Sequence, residues 1–146
     1  MPQDPKDLYK DTLMRHSKEP RNRRTIERPS SETFLANALC GDEVTLYLKI
    51  DDNQLSDVSF NAKCCSICMA SASMLTEKVK GNSQESAANL VSRFLKEMKE
   101  EEESFLFDES EDLYALKSVK AFPSRLRCAT LPWEALKEAL SVVHKK

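Results

Sequence analysis

Residues 42–81 read DEVTLYLKIDDNQLSDVSFNAKCCSICMASASMLTEKVKG, and a change of hydrophobic period within them decides the fold. From Val44 to Ile50 every second residue is apolar, which predicts a β-strand with one buried face. The turn sequence DDNQ follows, and the alternation resumes over residues 58–62. The two segments therefore predict an antiparallel hairpin whose apolar side faces a core.

The hydrophobic period becomes helical after the hairpin, over residues 66–80. Four more helices are expected: one that ends before Pro20, one capped by Asn82, a short one within residues 108–119, and a final one with Pro132 in its first turn. This order predicts an α+β fold, a small antiparallel sheet with helices packed on one face. The length suits a single domain over residues 1–146.

Composition excludes several classes of function. The net charge of -2 gives no electrostatic reason to expect nucleic acid as a partner. The two glycines, Gly41 and Gly81, lie too far apart in the sequence to build a Walker A loop or a dinucleotide-binding fingerprint. No apolar run reaches the ~20 residues that cross a bilayer, so we expect no membrane partner and a cytoplasmic protein. Cytoplasmic thiols are kept reduced, which bears on how the cysteines are interpreted.

Three of the five cysteines stand at predicted element junctions. Cys40 precedes the first clear strand, Cys65 lies where the hairpin gives way to a helix, and Cys128 lies just before the last helix. If the helices pack over one end of the sheet, these thiols and the carboxylate of Asp42 could converge. An odd cysteine count in a reducing compartment favours metal binding or thiol chemistry over disulfides.

The chemistry of such a set would be that of a soft-metal site. Thiolates select zinc, copper(I) or iron–sulfur units, and four ligands suit tetrahedral zinc. A carboxylate is a harder ligand that is more easily displaced. Two alternatives stay open, since a cysteine is often a small buried hydrophobe and Cys65-x-x-Cys68 could be a redox dithiol.

Several stretches together resemble the U-type iron–sulfur scaffold family, which comprises IscU, SufU and the N-terminal domain of NifU. They are CGDEVTLYLKI at 40–50, CCSICMASASMLTEKVKG at 64–81, FPSRLRCATLPWEALKEAL at 122–140 and the opening LYKDTLMRHSKEPRN at 8–22. The resemblance implies a small antiparallel sheet covered by helices. It also implies a shared metal or cluster site at Cys40, Asp42, Cys65 and Cys128, with Asp42 as the labile ligand.

Within this family the chain is most similar to the SufU branch. The spacer between Gly81 and Cys128 is long, and Arg127 stands before Cys128 where IscU has histidine. The resemblance implies zinc, with a transient iron–sulfur cluster possible, and persulfide sulfur received from a SufS-like cysteine desulfurase. We expect Cys40 to accept this sulfur, because it lies beside the carboxylate that can release. Downstream iron–sulfur assembly or acceptor proteins would be the other partners. Sulfurtransferase activity follows only on this interpretation; otherwise the protein is a non-enzymatic scaffold.

A different hypothesis is a structural zinc-binding adaptor without sulfur transfer. Arg125 and Arg127 are auxiliary candidates that would offset the negative charge of the site or steer the partner, unless they are solvated surface residues.

The sequence also departs from the family pattern. Cys64 replaces a glycine and Cys68 a serine or glutamine, while Arg24 replaces a glycine and Pro132 an alanine. Because a one-residue shift at a strand end turns a side chain to the opposite face, we expect Cys65 rather than Cys64 to be the ligand.

Overall fold

The structure is a computed structural model that describes residues 5–38, 41–100, 105–108 and 110–144. Its sheet has three antiparallel strands in the order β1-β2-β3, namely Ser31–Asn37, Asp42–Asp51 and Gln54–Lys63. The predicted hairpin is confirmed as β2 and β3, with Leu46 opposite Phe60. Asp52 and Asn53 between them have φ of 50° and 64°, the left-handed conformation that a tight two-residue hairpin turn requires.

The first strand, β1, is absent from the sequence-based prediction because its hydrophobic alternation is inverted. Ser31, Thr33 and Asn37 face the protein interior, whereas Phe34 is 58% exposed on the opposite face. The inward polar groups find partners; the Ser31 hydroxyl, for example, donates to the Ala139 carbonyl at 2.9 Å. A strand that buries hydrogen-bonded polar side chains carries no apolar alternation to recognise.

The helices pack on one face of this sheet, as predicted. They are α1 Pro5–Lys18, α2 Ser66–Val79, α3 Gln84–Lys99 and α4 Leu126–His144, with 3-10 segments at Asp112–Ala121 and Pro123–Arg125. Helix α4 lies against β1 and β2, and α2 lies against β3. Between α3 and α4 the core includes a stacked pair, Phe94 and Trp133, whose ring centroids are 3.8 Å apart. The α+β architecture is confirmed.

Two helix starts differ from the prediction, those of α3 and α4. Ser83, not Asn82, caps α3, and its side chain accepts a hydrogen bond from the Ser86 N–H. The short helix expected within residues 108–119 is the 3-10 segment Asp112–Ala121, whose buried residues Leu113, Leu116 and Val119 recur every three positions. That spacing suits a helix with three residues per turn.

The final helix begins earlier than predicted. Because α4 starts at Leu126, Cys128 lies inside its first turn and Pro132 is an interior residue rather than a first-turn residue. Proline has no N–H, so Pro132 cannot donate to the carbonyl of Cys128, four residues before it. None of the helices in the described parts of the chain is long and apolar enough to cross a bilayer.

His16 fastens α1 to the rest of the protein. Its ring is buried, with Nδ1 2.8 Å from the Ser73 hydroxyl and Nε2 3.0 Å from a carboxylate oxygen of Asp112. Although serine, histidine and aspartate occur in hydrolase triads, Ser73 is fully buried and its hydroxyl also accepts the Arg21 N–H. The hydrogen-bonded group of His16, Ser73 and Asp112 is therefore structural, since it joins α1 to α2 and to the 3-10 segment.

Arg24 holds the loop after α1 to the sheet. Its guanidinium donates two hydrogen bonds to the Asp57 carboxylate, at 2.7 and 2.9 Å. The hydrogen bond from Arg24 is the main reason that the pKa of Asp57 lies below its ordinary value. An ion pair in this place gives the otherwise unexpected arginine a structural role.

We expect Arg24→Gln to lower the free energy of unfolding by about 0.2–1 kcal/mol at neutral pH, the range of a partly exposed ion pair. The pKa of Asp57 is lower in the folded than in the unfolded protein, so the stability that Asp57 contributes is fully present above the unfolded pKa of ~4. This stability is lost as the pH falls through the folded pKa. Urea unfolding at neutral pH and at about pH 3 measures the difference, which should shrink in acid. A comparable loss in Arg28→Gln, an exposed arginine of the same loop, would contradict this assignment.

Candidate metal centre

Three predicted ligands meet where one strand and two helices begin. Asp42 is the first residue of β2, Cys65 is the N-cap of α2, and Cys128 lies in the first turn of α4. One carboxylate oxygen and the two sulfurs all lie within 4.8 Å of one another. The predicted convergence at one end of the sheet therefore holds for these three residues.

Asp42 connects the strand to the helix. Its Oδ1 accepts the Cys65 backbone N–H at 3.0 Å, and its Oδ2 lies 3.7 Å from the Cys65 sulfur. Within the described residues, the Cys65 side chain makes no capping hydrogen bond of its own, so the Asp42 carboxylate satisfies an N–H at the start of α2. The carboxylate is only 2% exposed, and the positive end of the helix dipole partly offsets its buried charge.

Cys128 is held in place by contacts between α2 and α4. The Ser71 hydroxyl donates to the Ala129 carbonyl at 2.6 Å, and the Trp133 indole N–H donates to the same hydroxyl at 2.9 Å. Along α4, Ala129 directly follows Cys128, and Trp133 lies between one and two turns after it. The two hydrogen bonds fix the distance between the two helix starts that carry the sulfurs.

The electrostatics around Cys128 keep its thiol protonated. Burial raises the pKa of Cys128, and the neighbouring Cys65 and Asp42 raise it further. A cation among these groups would reverse the effect, since a metal deprotonates the thiols that bind it.

The donor set fits a zinc ion. With zinc–sulfur bonds of ~2.3 Å, two tetrahedral ligand sulfurs stand about 3.8 Å apart. The three donor atoms already lie within 4.8 Å of one another, so small side-chain movements would provide three of the four ligands of a tetrahedral zinc site. Two thiols and one carboxylate leave room for a fourth ligand.

Cys40, predicted as both a ligand and the sulfur acceptor, lies outside the described residues. Arg125 ends the short 3-10 segment before α4 and is exposed. Arg127 is also exposed, and its Nε lies 3.5 Å from a carboxylate oxygen of Glu134, within the same helix. An ion pair with Glu134 is thus one of the interactions of Arg127.

The two extra cysteines contact each other. A hydrogen bond between their side chains raises the pKa of Cys68 and lowers that of Cys64. Cys65 is the one that faces Asp42, as the strand-end argument predicts. The sequence contained a signal for the additional pair, because residues four apart at the start of a helix share a face.

Comparison with known proteins gives the family. The family described as the NifU-like N terminal domain matches residues 8–146. The chain belongs to this family. Its predicted resemblance to U-type scaffolds is therefore confirmed.

Individual NifU-like relatives agree with this result. The chain is 38% identical over 137 residues to the zinc-dependent sulfurtransferase SufU of Bacillus subtilis (strain 168), covering 92% of this chain and 90% of that protein. It is 36% identical over 133 residues to the iron–sulfur cluster assembly scaffold protein IscU of Streptococcus pyogenes serotype M1, covering 91% and 82%. A crystal structure of a candidate iron–sulfur cluster assembly scaffold for the SUF system, from Fervidobacterium islandicum AW-1, superposes with a TM-score of 0.79 at 31% identity, covering 89% and 94%.

The tie between Asp42 and Cys65 can be tested in this NifU-like domain without metal. Asn at position 42 keeps an oxygen acceptor for the Cys65 N–H, whereas Ala removes it. We expect Asp42→Asn to be more stable than Asp42→Ala by about 1 kcal/mol, the net value of one hydrogen bond. Chemical denaturation of the two metal-free variants measures the difference, and equal unfolding free energies would show that the bond does not hold α2.

Proposed function

We propose that this protein is a SufU-like iron–sulfur cluster assembly scaffold that accepts persulfide sulfur from a cysteine desulfurase. The observation that carries the proposal is the meeting of Asp42, Cys65 and Cys128 donor atoms within 4.8 Å in a NifU-like domain. The relative named a zinc-dependent sulfurtransferase supports the SufU-like assignment. We propose further that residues 1–146 act as one domain, in keeping with a family match over residues 8–146.

The proposed ligands are Cys40, Asp42, Cys65 and Cys128. A zinc ion bound there would keep the ligand thiols deprotonated at neutral pH. The Cys65 and Cys128 sulfurs are positioned by helix starts that the core fixes, which suits them to a permanent grip. The Oδ2 of Asp42 lies 3.7 Å from the Cys65 sulfur while its Oδ1 accepts the Cys65 N–H, and a carboxylate that binds through one oxygen is suited to be a displaceable ligand.

Sulfur transfer is assigned to Cys40, two residues before Asp42 in the sequence. Its thiolate attacks the outer sulfur of a desulfurase persulfide, and the desulfurase cysteine leaves as a thiolate. One sulfur–sulfur bond forms as another breaks, so no external oxidant or reductant is needed. The sulfur, or a cluster built from it, then passes to downstream assembly or acceptor proteins in the cytoplasm.

Arg125 and Arg127 have a proposed auxiliary role near the start of α4. Both guanidinium groups are exposed, so they are accessible to an acidic surface of the desulfurase. Arg127 would also counter the negative charge of a loaded site, in exchange for its ion pair with Glu134.

Metal binding is the first test. We expect about one zinc per chain with sulfur-rich tetrahedral coordination, because three thiols and one carboxylate complete the shell. Cys65→Ser and Cys128→Ser should bind zinc much more weakly. The matched control is Cys68→Ser, a buried cysteine of α2 outside the ligand set. Elemental analysis and X-ray absorption read out the metal; equal zinc loss in the control would mean that the site uses different sulfurs.

Sulfur acceptance is the second test. We expect brief incubation with cysteine and a SufS-like desulfurase to add sulfur first to Cys40, because the other two ligand thiols are held at helix starts. Cys40→Ser should retain part of its zinc yet fail to stimulate the desulfurase. Peptide mass spectrometry locates the added sulfur.

Two outcomes of that experiment would change the proposal. Sulfur found on Cys65 or Cys128 with Cys40 unmodified would move the acceptor role. No added sulfur on any cysteine, with zinc bound, would favour the structural zinc adaptor.

A further inference from the structure

Cys64 and Cys68 form a second pair of thiols beside the candidate metal centre. Cys64 follows the last residue of β3 and Cys68 lies in the first turn of α2, and a hydrogen bond joins the two side chains. Cys65, between them in sequence, is directed at Asp42 instead. The two adjacent cysteines at the end of β3 therefore have different partners: Cys64 contacts Cys68, and Cys65 faces Asp42.

The two sulfurs differ in access. Cys64 is half-buried, whereas Cys68 is completely buried. A sulfur donor from outside can therefore reach Cys64 but not Cys68. The Cys68 thiol contacts Cys64 from the buried side and can react with a group attached to it, which is the relation between a resolving and an attacking cysteine in a dithiol site.

We propose that Cys64 and Cys68 release inorganic sulfide from a persulfide by oxidising to a disulfide. This inference rests on the proposed function for its natural source of persulfide. It adds a reductive step, since acceptance alone leaves the sulfur at the sulfane level while an iron–sulfur cluster contains sulfide.

The chemistry balances within the pair. Cys64 first takes the outer sulfur of an incoming persulfide and becomes Cys64–S–SH. The Cys68 sulfur then attacks the Cys64 Sγ, the bond to the outer sulfur breaks, and that sulfur leaves as hydrosulfide. The two electrons that reduce it come from the two cysteine thiols, which end as a disulfide. A cellular thiol or dithiol returns the pair to its reduced form by exchange.

A basic residue, Arg23, lies near Cys64, whose sulfur would accept the outer sulfur of the persulfide. The Arg23 guanidinium donates to the Ala62 carbonyl at 3.1 Å, which places its positive charge at the end of β3, two residues before Cys64. Persulfides are anionic near neutral pH, so this charge favours their approach to Cys64 and opposes the repulsion from Asp42.

The experiment uses the full chain loaded with zinc, kept free of oxygen and of added reductant, and a glutathione persulfide as probe. Released sulfide is measured per chain, and the tryptic peptide from Cys64 to Lys78 is weighed without reduction. The wild type should release one sulfide per chain and yield a peptide with an internal disulfide. Fragmentation of that peptide assigns the bridge to Cys64 and Cys68.

The single variants give opposite signatures. Cys68→Ser should release no sulfide and accumulate a persulfide on Cys64, since the resolving thiol is absent. Cys64→Ser should release none and carry no added sulfur in this peptide. A purely packing role for the pair would produce no such asymmetry, and the zinc content of each variant verifies its fold.

The proposal is overturned if the wild type releases no sulfide, or if Cys68→Ser releases as much as the wild type. Because the probe replaces the desulfurase, these results do not depend on the proposed function. Sulfide release from glutathione persulfide without any sulfur accepted from the desulfurase would refute the proposed donor alone.

Discussion

A single carboxylate organises the functional end of the molecule. Asp42 is almost completely buried, and one of its oxygens accepts the Cys65 N–H at 3.0 Å. A buried charge needs partners, and here the partners are the first backbone N–H of a helix and the dipole behind it. Because the same side chain fixes the start of α2 and faces the sulfurs, local folding and site geometry depend on the same bond.

The two helix starts are brought together by a polar connection inside the core. Ser71 of α2 bonds to the backbone of α4 at Ala129 and accepts the Trp133 indole N–H. Apolar contacts alone would allow one helix to slide along the other, but hydrogen bonds of 2.6 and 2.9 Å fix their register. The distance between Cys65 and Cys128 is therefore set by the core rather than by a flexible loop.

The elements with a clear hydrophobic period could be predicted from the sequence, and those governed by specific polar contacts could not. The β2–β3 hairpin and α2 follow their periods closely. Strand β1 escaped prediction because Ser31 and Thr33 take the inward positions that apolar residues usually occupy. For the site, junction positions indicated Asp42, Cys65 and Cys128, but no pattern reveals that Asp42 also caps a helix. Which side chain the Cys64 sulfur contacts depends on the path of the backbone after β3, and the sequence alone does not specify that path.

The proline inside α4 separates that helix into two mechanical parts. The part after Pro132 is tied to the sheet at Ala139, whose carbonyl accepts the Ser31 hydroxyl of β1, while the turn before it contains Cys128. Since Pro132 contributes no amide hydrogen to the preceding turn, the first turn is joined to the packed part by fewer backbone bonds than in an uninterrupted helix. The hydrogen bond from Ser71 to the Ala129 carbonyl then holds this turn from the side, across the contact with α2, where the helix axis holds it less. The position of the Cys128 sulfur thus depends on a neighbouring helix as much as on its own, so a substitution at Ser71 would alter the candidate metal centre without replacing any ligand.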